Sequence, residues 1–86
     1  MAVFEAEYNM KLVYENSSES SVIILLEPYI QTLELIHGSI LVLNWHASDE
    51  VESRLDITQF NKEITFNIPS NRFQILIDDR VIQVDW

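Results

Sequence analysis

The sequence contains no cysteine and only one glycine, and these two scarcities exclude several kinds of site. Without cysteine the chain has no disulfide, no thiolate nucleophile and no cysteine-ligated zinc. Nucleophile elbows, Walker loops and dinucleotide-binding loops each need two or more glycines at fixed spacing. Gly38 alone cannot provide that spacing, so none of these glycine-based motifs is present.

Basic residues are also scarce: five Lys and Arg stand against 14 Asp and Glu, and the formal net charge is −9. Binding to a nucleic-acid backbone or to an anionic membrane depends on Lys and Arg, so we expect neither as a direct partner. Residues 1–52 hold nine of the acids and a single base, Lys11. This excess fits two explanations: solubility, or an acidic surface that attracts a basic protein.

Long hydrophobic runs are absent as well. The longest, Val22–Leu26, is far too short to span a bilayer. Residues 1–7 have neither the basic start nor the apolar run of a secretory signal. Small secreted domains usually depend on disulfides, which this chain cannot form. We therefore expect a cytoplasmic location.

Apolar and polar residues alternate along most of the chain, as they do in strands that bury one face. In residues 4–14 every even position is apolar. Phe4, Tyr8 and Leu12 also fit helical i, i+4 spacing, but the alternation is the longer match and favours a strand. Residues 22–26 are apolar on both faces, which indicates a central strand. The remaining predicted strands cover residues 31–35, 40–46, 51–58, 64–68, 73–77 and 81–86.

About seven or eight short strands, with turn residues roughly every 8–12 positions and no convincing helix, predict an all-β fold. We expect one domain over residues 1–86, built as an antiparallel β-sandwich or barrel, with a jelly-roll-like arrangement among the options. Gly38 is expected to have a positive φ, and Asp78-Asp79 to form a tight hairpin. The predicted register points Phe66, Ile68, Phe73, Ile75 and Ile77 inward and Thr65, Asn67 and Gln74 outward.

One segment resembles a known type of sequence. It runs Ile24-Leu25-Leu26-Glu27-Pro28-Tyr29, then Leu33-Glu34-Leu35, then Gly38-Ser39. This is similar to a segment of small, uncharacterised bacterial all-β proteins, in which Trp is commoner at the position of Tyr29. The resemblance implies a bacterial or phage-like all-β protein, and it implies no activity.

Candidate catalytic groups are few. His37 and His46 are the only imidazoles, and neither belongs to a metal-binding spacing. The clustered acids at residues 49–52 and 78–79 lack the alternate spacing and central glycine of an EF-hand. We therefore predict no catalytic residue, no metal and no cofactor, and a protein that is not an enzyme.

The charge pattern favours an interaction module. An acidic β-domain of this size could bind a protein with a basic surface, as inhibitors and immunity-type proteins do when they cover a nucleic-acid-binding cleft. The predicted acidic face consists of Glu5, Glu7, Asp49, Glu50 and Glu52. Association of identical copies through edge strands is a further option.

The aromatic residues support an alternative function. Tyr29, Trp45 and Trp86 could line a platform for a small ligand or a carbohydrate. Trp45 lies in an apolar strand, however, so we expect its ring in the core with the indole N–H bonded near an edge. The alternative is therefore a ligand-binding β-sandwich built on these three aromatics.

Overall fold

A computed structural model describes residues 8–29 and 31–83, and this part of the chain forms two packed β-sheets of four strands each. The strands are β1 (Met10–Glu15), β2 (Val22–Glu27), β3 (Gln31–Leu35), β4 (Ile40–Trp45), β5 (Asp56–Phe60), β6 (Glu63–Asn67), β7 (Phe73–Ile77) and β8 (Arg80–Ile82). Sheet A has the order β1-β4-β7-β8, and sheet B has the order β3-β2-β6-β5. The predicted all-β sandwich is confirmed.

The first strand settles the choice between strand and helix for the part that is described. β1 is extended, and Met10, Leu12 and Tyr14 pack against the core while the alternate residues are exposed. Its six residues pair antiparallel with β4. Residues 4–7 of the predicted strand, and residues 84–86 of the predicted last strand, lie outside the described residues.

The core lies between the sheets and follows the predicted register. Phe66, Ile68 and Ile75 are fully buried, and Phe73 and Ile77 are half-buried against them. Thr65, Asn67 and Gln74 alternate with these inward-facing residues along β6 and β7, and none of the three is fully buried. The other buried apolar residues are Val22, Ile24, Leu26, Leu35, Leu41, Leu43, Trp45 and Ile64.

Two features differ from the prediction. β2 and β6 pair in parallel, whereas every other pair among the described strands is antiparallel. The strand predicted from residue 51 begins only at Asp56. Residues 49–53 form turns instead, because the Asp49 carboxylate accepts the backbone N–H of Glu52 and Ser53 N–H bonds to the Glu50 carbonyl. These short i+3 bonds replace the sheet partners that an extended segment would need.

The turn residues behave as their chemistry requires. Gly38 has φ +83, as predicted, in the connection that takes the chain from sheet B to sheet A. Asp78 and Asp79 have φ 51 and 68 and join β7 to β8 as the predicted hairpin. Positive φ at both central residues is the mark of a two-residue turn that matches the twist of its strands. Asp tolerates this conformation better than most residues.

Asp78 also ties this hairpin to the start of β4. Its carboxylate accepts the backbone N–H of Ile40 at 3.0 Å and the Ser39 hydroxyl at 2.8 Å. These two hydrogen bonds, with a smaller contribution from Arg80, hold the pKa of Asp78 below its ordinary 3.8. A carboxyl whose pKa is lowered by folding stabilises the protein above its unfolded pKa and loses that contribution as pH falls through the folded pKa.

We therefore expect the stability of the wild type, relative to Asp78→Asn, to be constant near neutral pH and to decline below about pH 4. The variant side chain keeps an oxygen for Ile40 N–H but does not titrate, so the other carboxyls cancel in the difference. Urea unfolding of both proteins from about pH 7 to about pH 2.5 measures it. A difference that does not change with pH would contradict the role given to the Asp78 carboxylate.

Candidate binding surface

The outward-facing side of sheet B is the most acidic strand surface in the described part of the chain. Strand pairing places residues of the same parity on one face, so the register defines which side chains lie there. The outer face of sheet B carries Glu27, Glu34, Asp56 and Glu63 together with Ile23, Leu25, Thr32, Thr58, Phe60, Thr65 and Asn67. No Lys, Arg or His stands at any of these strand positions.

The register arranges this face in rows that run across the four strands. One row reads Glu34, Ile23, Glu63 and Phe60; the next reads Thr32, Leu25, Thr65 and Thr58; the third has Glu27, Asn67 and Asp56. Carboxylates thus stand at both ends of the face with a row of threonines between them. Neighbouring strands lie about 4.8 Å apart, so each row is short enough for one partner element to cover.

Phe60 adds an apolar element to this acidic face. It ends the edge strand β5, is largely exposed, and pairs with Glu63 on β6. Aromatic side chains ringed by polar groups are typical of the centres of protein interfaces, because they supply apolar area at low entropic cost. The face therefore combines negative charge for long-range attraction with a side chain suited to close contact.

The predicted loop acids have local structural contacts. The Glu52 carboxylate accepts the N–H of Ser48, and the Asp49 carboxylate accepts the N–H of Glu52, both at 2.8 Å. Glu50 lies 3.8 Å from the guanidinium of Arg54. These bonds shape the turn that leads from β4 to β5.

The structure does not unite the whole predicted acidic face. Glu5 and Glu7 lie outside the described residues. Glu27, Glu34, Asp56 and Glu63 were not among the predicted binding residues. Each of the four stands at a polar position of an alternating strand or at a strand end, and the sequence pattern alone indicates that such a side chain faces outward. Their proximity depends on which strands are neighbours, and the sequence did not reveal that.

The aromatic alternative changes in the light of the fold. Trp45 is 3% exposed and its indole N–H donates to the Glu52 carbonyl at 2.8 Å, as predicted for a core residue. A buried ring has no free face on which a sugar can stack. Tyr29 is half-buried, with its ring 4.9 Å from that of Phe73 and its hydroxyl donating to the Ser70 carbonyl; burial raises its pKa. Trp86 lies outside the described residues.

The two histidines lie at opposite ends of the sandwich. His37 Nδ1 donates to the Ser18 carbonyl in the loop after β1. His46 follows β4, and its backbone N–H bonds to the Arg72 carbonyl while its Nδ1 is enclosed. In the described part of the chain, no three His, Asp or Glu side chains are grouped so as to hold a metal ion.

Comparison with protein-family models, with curated proteins and with solved structures finds no match to this chain. Within residues 8–29 and 31–83, no helix is long and apolar enough to cross a membrane.

Proposed function

We propose that this protein is a non-enzymatic interaction module that binds another protein through an acidic surface. The partner has a basic surface, such as the nucleic-acid-binding cleft that an inhibitor or immunity-type protein covers. The proposal includes a cytoplasmic location, where such a partner would be met. The proposal keeps the acids first predicted as a second contribution to the negative electrostatic potential: Glu5, Glu7, Asp49, Glu50 and Glu52.

One observation carries the proposal: four carboxylates and no basic side chain on the outer face of sheet B. If the acids served solubility alone, charge spread over the whole surface would be sufficient. The two sheets differ instead, because the outer face of sheet A carries only one Lys and one Glu on its strands. Negative charge concentrated on one face attracts a basic partner over several ångströms and speeds association.

The sheet also suits the contact chemically. In each of the two acidic rows the two carboxylates stand two strands apart, about 9–10 Å at the usual strand spacing. Separate Lys or Arg side chains of a basic partner could therefore each meet one carboxylate of the face. The exposed Phe60 would pack among the apolar stems of those long side chains.

The test neutralises exposed acids in groups and compares the association rates of variants on sheet B with those of variants elsewhere on the protein. We expect Glu34→Gln/Asp56→Asn/Glu63→Gln to lower the association rate of the partner by about tenfold at low salt, because several weak charge contributions are lost together. The partner is first captured at low ionic strength, eluted at high ionic strength and identified. Association is then measured by surface plasmon resonance at two ionic strengths.

The matched control is Glu19→Gln/Asp79→Asn, which removes two charges from exposed positions away from both outer sheet faces and is compared with Glu34→Gln/Glu63→Gln. It should retain at least half of the wild-type rate. Equal losses in both variants would assign the effect to net charge, and unchanged binding in both would leave solubility as the role of the acids. A third variant, Glu5→Gln/Glu7→Gln/Glu50→Gln, measures the share of the acids first predicted.

A further inference from the structure

The outer face of sheet A carries an unbroken apolar row. Val13 pairs with Val42, Val42 with Leu76, and Leu76 with Val81, so these four side chains stand side by side across all four strands. Val13 is 58% exposed and Val81 is 53% exposed, at the two edge strands. With strands about 4.8 Å apart, the row is about 14 Å long. Ile40, also exposed, stands beside it on β4.

This row is flanked by charges of opposite sign on the same strand. Lys11 and Glu15 stand two residues on either side of Val13, on the same face and both exposed. They are about 13 Å apart along the strand, too far to pair with each other. The single ion pair found within 4 Å among the described residues is Arg54–Glu50, so Lys11 and Glu15 are both available to another molecule.

We propose that the outer face of sheet A is the interface of a homodimer, with a second copy of this chain as its occupant. A two-fold axis along the apolar row places each apolar side chain opposite its own copy. The same axis brings Lys11 of one copy opposite Glu15 of the other, and the contact occurs twice. The charges of this face are thus complementary to themselves only in this register.

Charge also selects this face over the other one. Docking through the outer face of sheet B would oppose four carboxylates to four carboxylates. The outer strand positions of sheet A are neutral in sum, although the chain has a net charge of −9. Two copies joined through sheet A direct both acidic faces outward. The dimer goes beyond the proposed function and does not depend on it.

The contact area is modest. Four strands with about five residues each form a face at the small end of the range for specific dimers, so we expect association at concentrations on the order of 10–100 μM. Sheets that pack face to face cross at about 30°, which keeps the central row in contact and leaves the Lys11–Glu15 pairs near the rim.

Sedimentation velocity of the full chain, from about 10 μM to about 1 mM, tests the dimer. We expect the wild type to dimerise in this range and Val13→Glu/Val81→Glu to remain monomeric. Val51→Glu, which changes a still more exposed valine in the turn after β4, should dimerise like the wild type. A wild type that stays monomeric throughout would overturn the proposal and leave the row to residues 1–7 or to a different partner.

A charge exchange tests the register. Lys11→Glu and Glu15→Lys should each weaken the dimer by about tenfold, because each places like charges opposite each other twice. The double variant Lys11→Glu/Glu15→Lys should restore the wild-type constant to within about threefold. If net charge alone governed association, the two single variants would act in opposite directions. That result, or a double variant no better than the singles, would overturn the proposed two-fold contact. Thermal melts check that every variant is folded.

Discussion

The Phe66→Ala variant is expected to lose about 3–5 kcal/mol of unfolding free energy. Phe66 is 1% exposed and projects from the centre of sheet B into the core. Its ring meets that of Tyr14, from sheet A, edge to face with centroids 6.4 Å apart. Truncation removes buried apolar area and leaves a cavity between the sheets that neither sheet can close without moving its strands.

Phe60 provides the matched control, because it is 76% exposed and only six residues away. Phe60→Ala should change the unfolding free energy by no more than about 0.5 kcal/mol. The two variants are compared by urea unfolding followed by fluorescence. A loss below about 1 kcal/mol for Phe66→Ala would contradict its central position in the core. The expected loss is a large part of the total unfolding free energy, which is about 5–15 kcal/mol for a typical domain.

Most strand positions and the core of the fold were predictable, because they follow from the local alternation of apolar and polar residues. In β1 and β6 the inward positions are apolar and most of the outward positions are polar, and that alone predicts the buried face of each strand, whereas β2 is apolar on both faces. The hairpin at Asp78-Asp79 and the turn at Gly38 follow from residues that tolerate positive φ. Such signals need only the chain's immediate neighbourhood.

Strand order was not predictable in the same way. β2 and β6 are separated by 35 residues between Glu27 and Glu63 and pair in parallel, and nothing local to either strand records that contact. The strand predicted from residue 51 was wrong over residues 51–55, where Val51 and Leu55 continue an alternating pattern. Side-chain to backbone bonds from Asp49 outweigh that pattern.

The candidate surfaces depend on strand order and were therefore found only in the fold. Sequence proximity groups Asp49, Glu50 and Glu52, whereas the register groups Glu34 with Glu63 across the intervening Ile23. The apolar row of sheet A likewise joins residues from 13 to 81. The two sheets thus present different chemistry outward, acidic on one side and apolar on the other, although each contributes the same kind of buried face to the core.

Asn16 is the polar residue on which one end of the sandwich depends, and the sequence suggested only a polar loop there. It follows β1 and is 1% exposed. Its side-chain amide donates to the carbonyls of Leu35 at 2.8 Å and Ser20 at 3.0 Å. Its oxygen accepts the N–H and the hydroxyl of Ser18. The side chain thus joins the loop after β1 to the end of β3, in the other sheet.

The backbone of Asn16 closes the same cluster. Its N–H donates to the Ser39 carbonyl at 3.0 Å, and its carbonyl accepts the N–H of Gly38 at 2.8 Å. The side chain therefore sits between two loops, and its bond to the Leu35 carbonyl is buried. A buried carbonyl or N–H that loses its partner costs about 1–3 kcal/mol.

Asn16→Ala is accordingly expected to lower the unfolding free energy by about 3–5 kcal/mol, because it leaves the Leu35 carbonyl and other backbone groups unpaired in a buried site. Asn16→Asp has nearly the same shape but cannot donate to the two carbonyls, so it should be at least as destabilising at neutral pH. Asn71→Ala, at an exposed asparagine, should change stability by no more than about 0.5 kcal/mol. Urea unfolding of the three variants at pH 7 separates these effects. An Asn16→Asp protein as stable as the wild type would show that shape, and not hydrogen bonding, holds this end of the sandwich together.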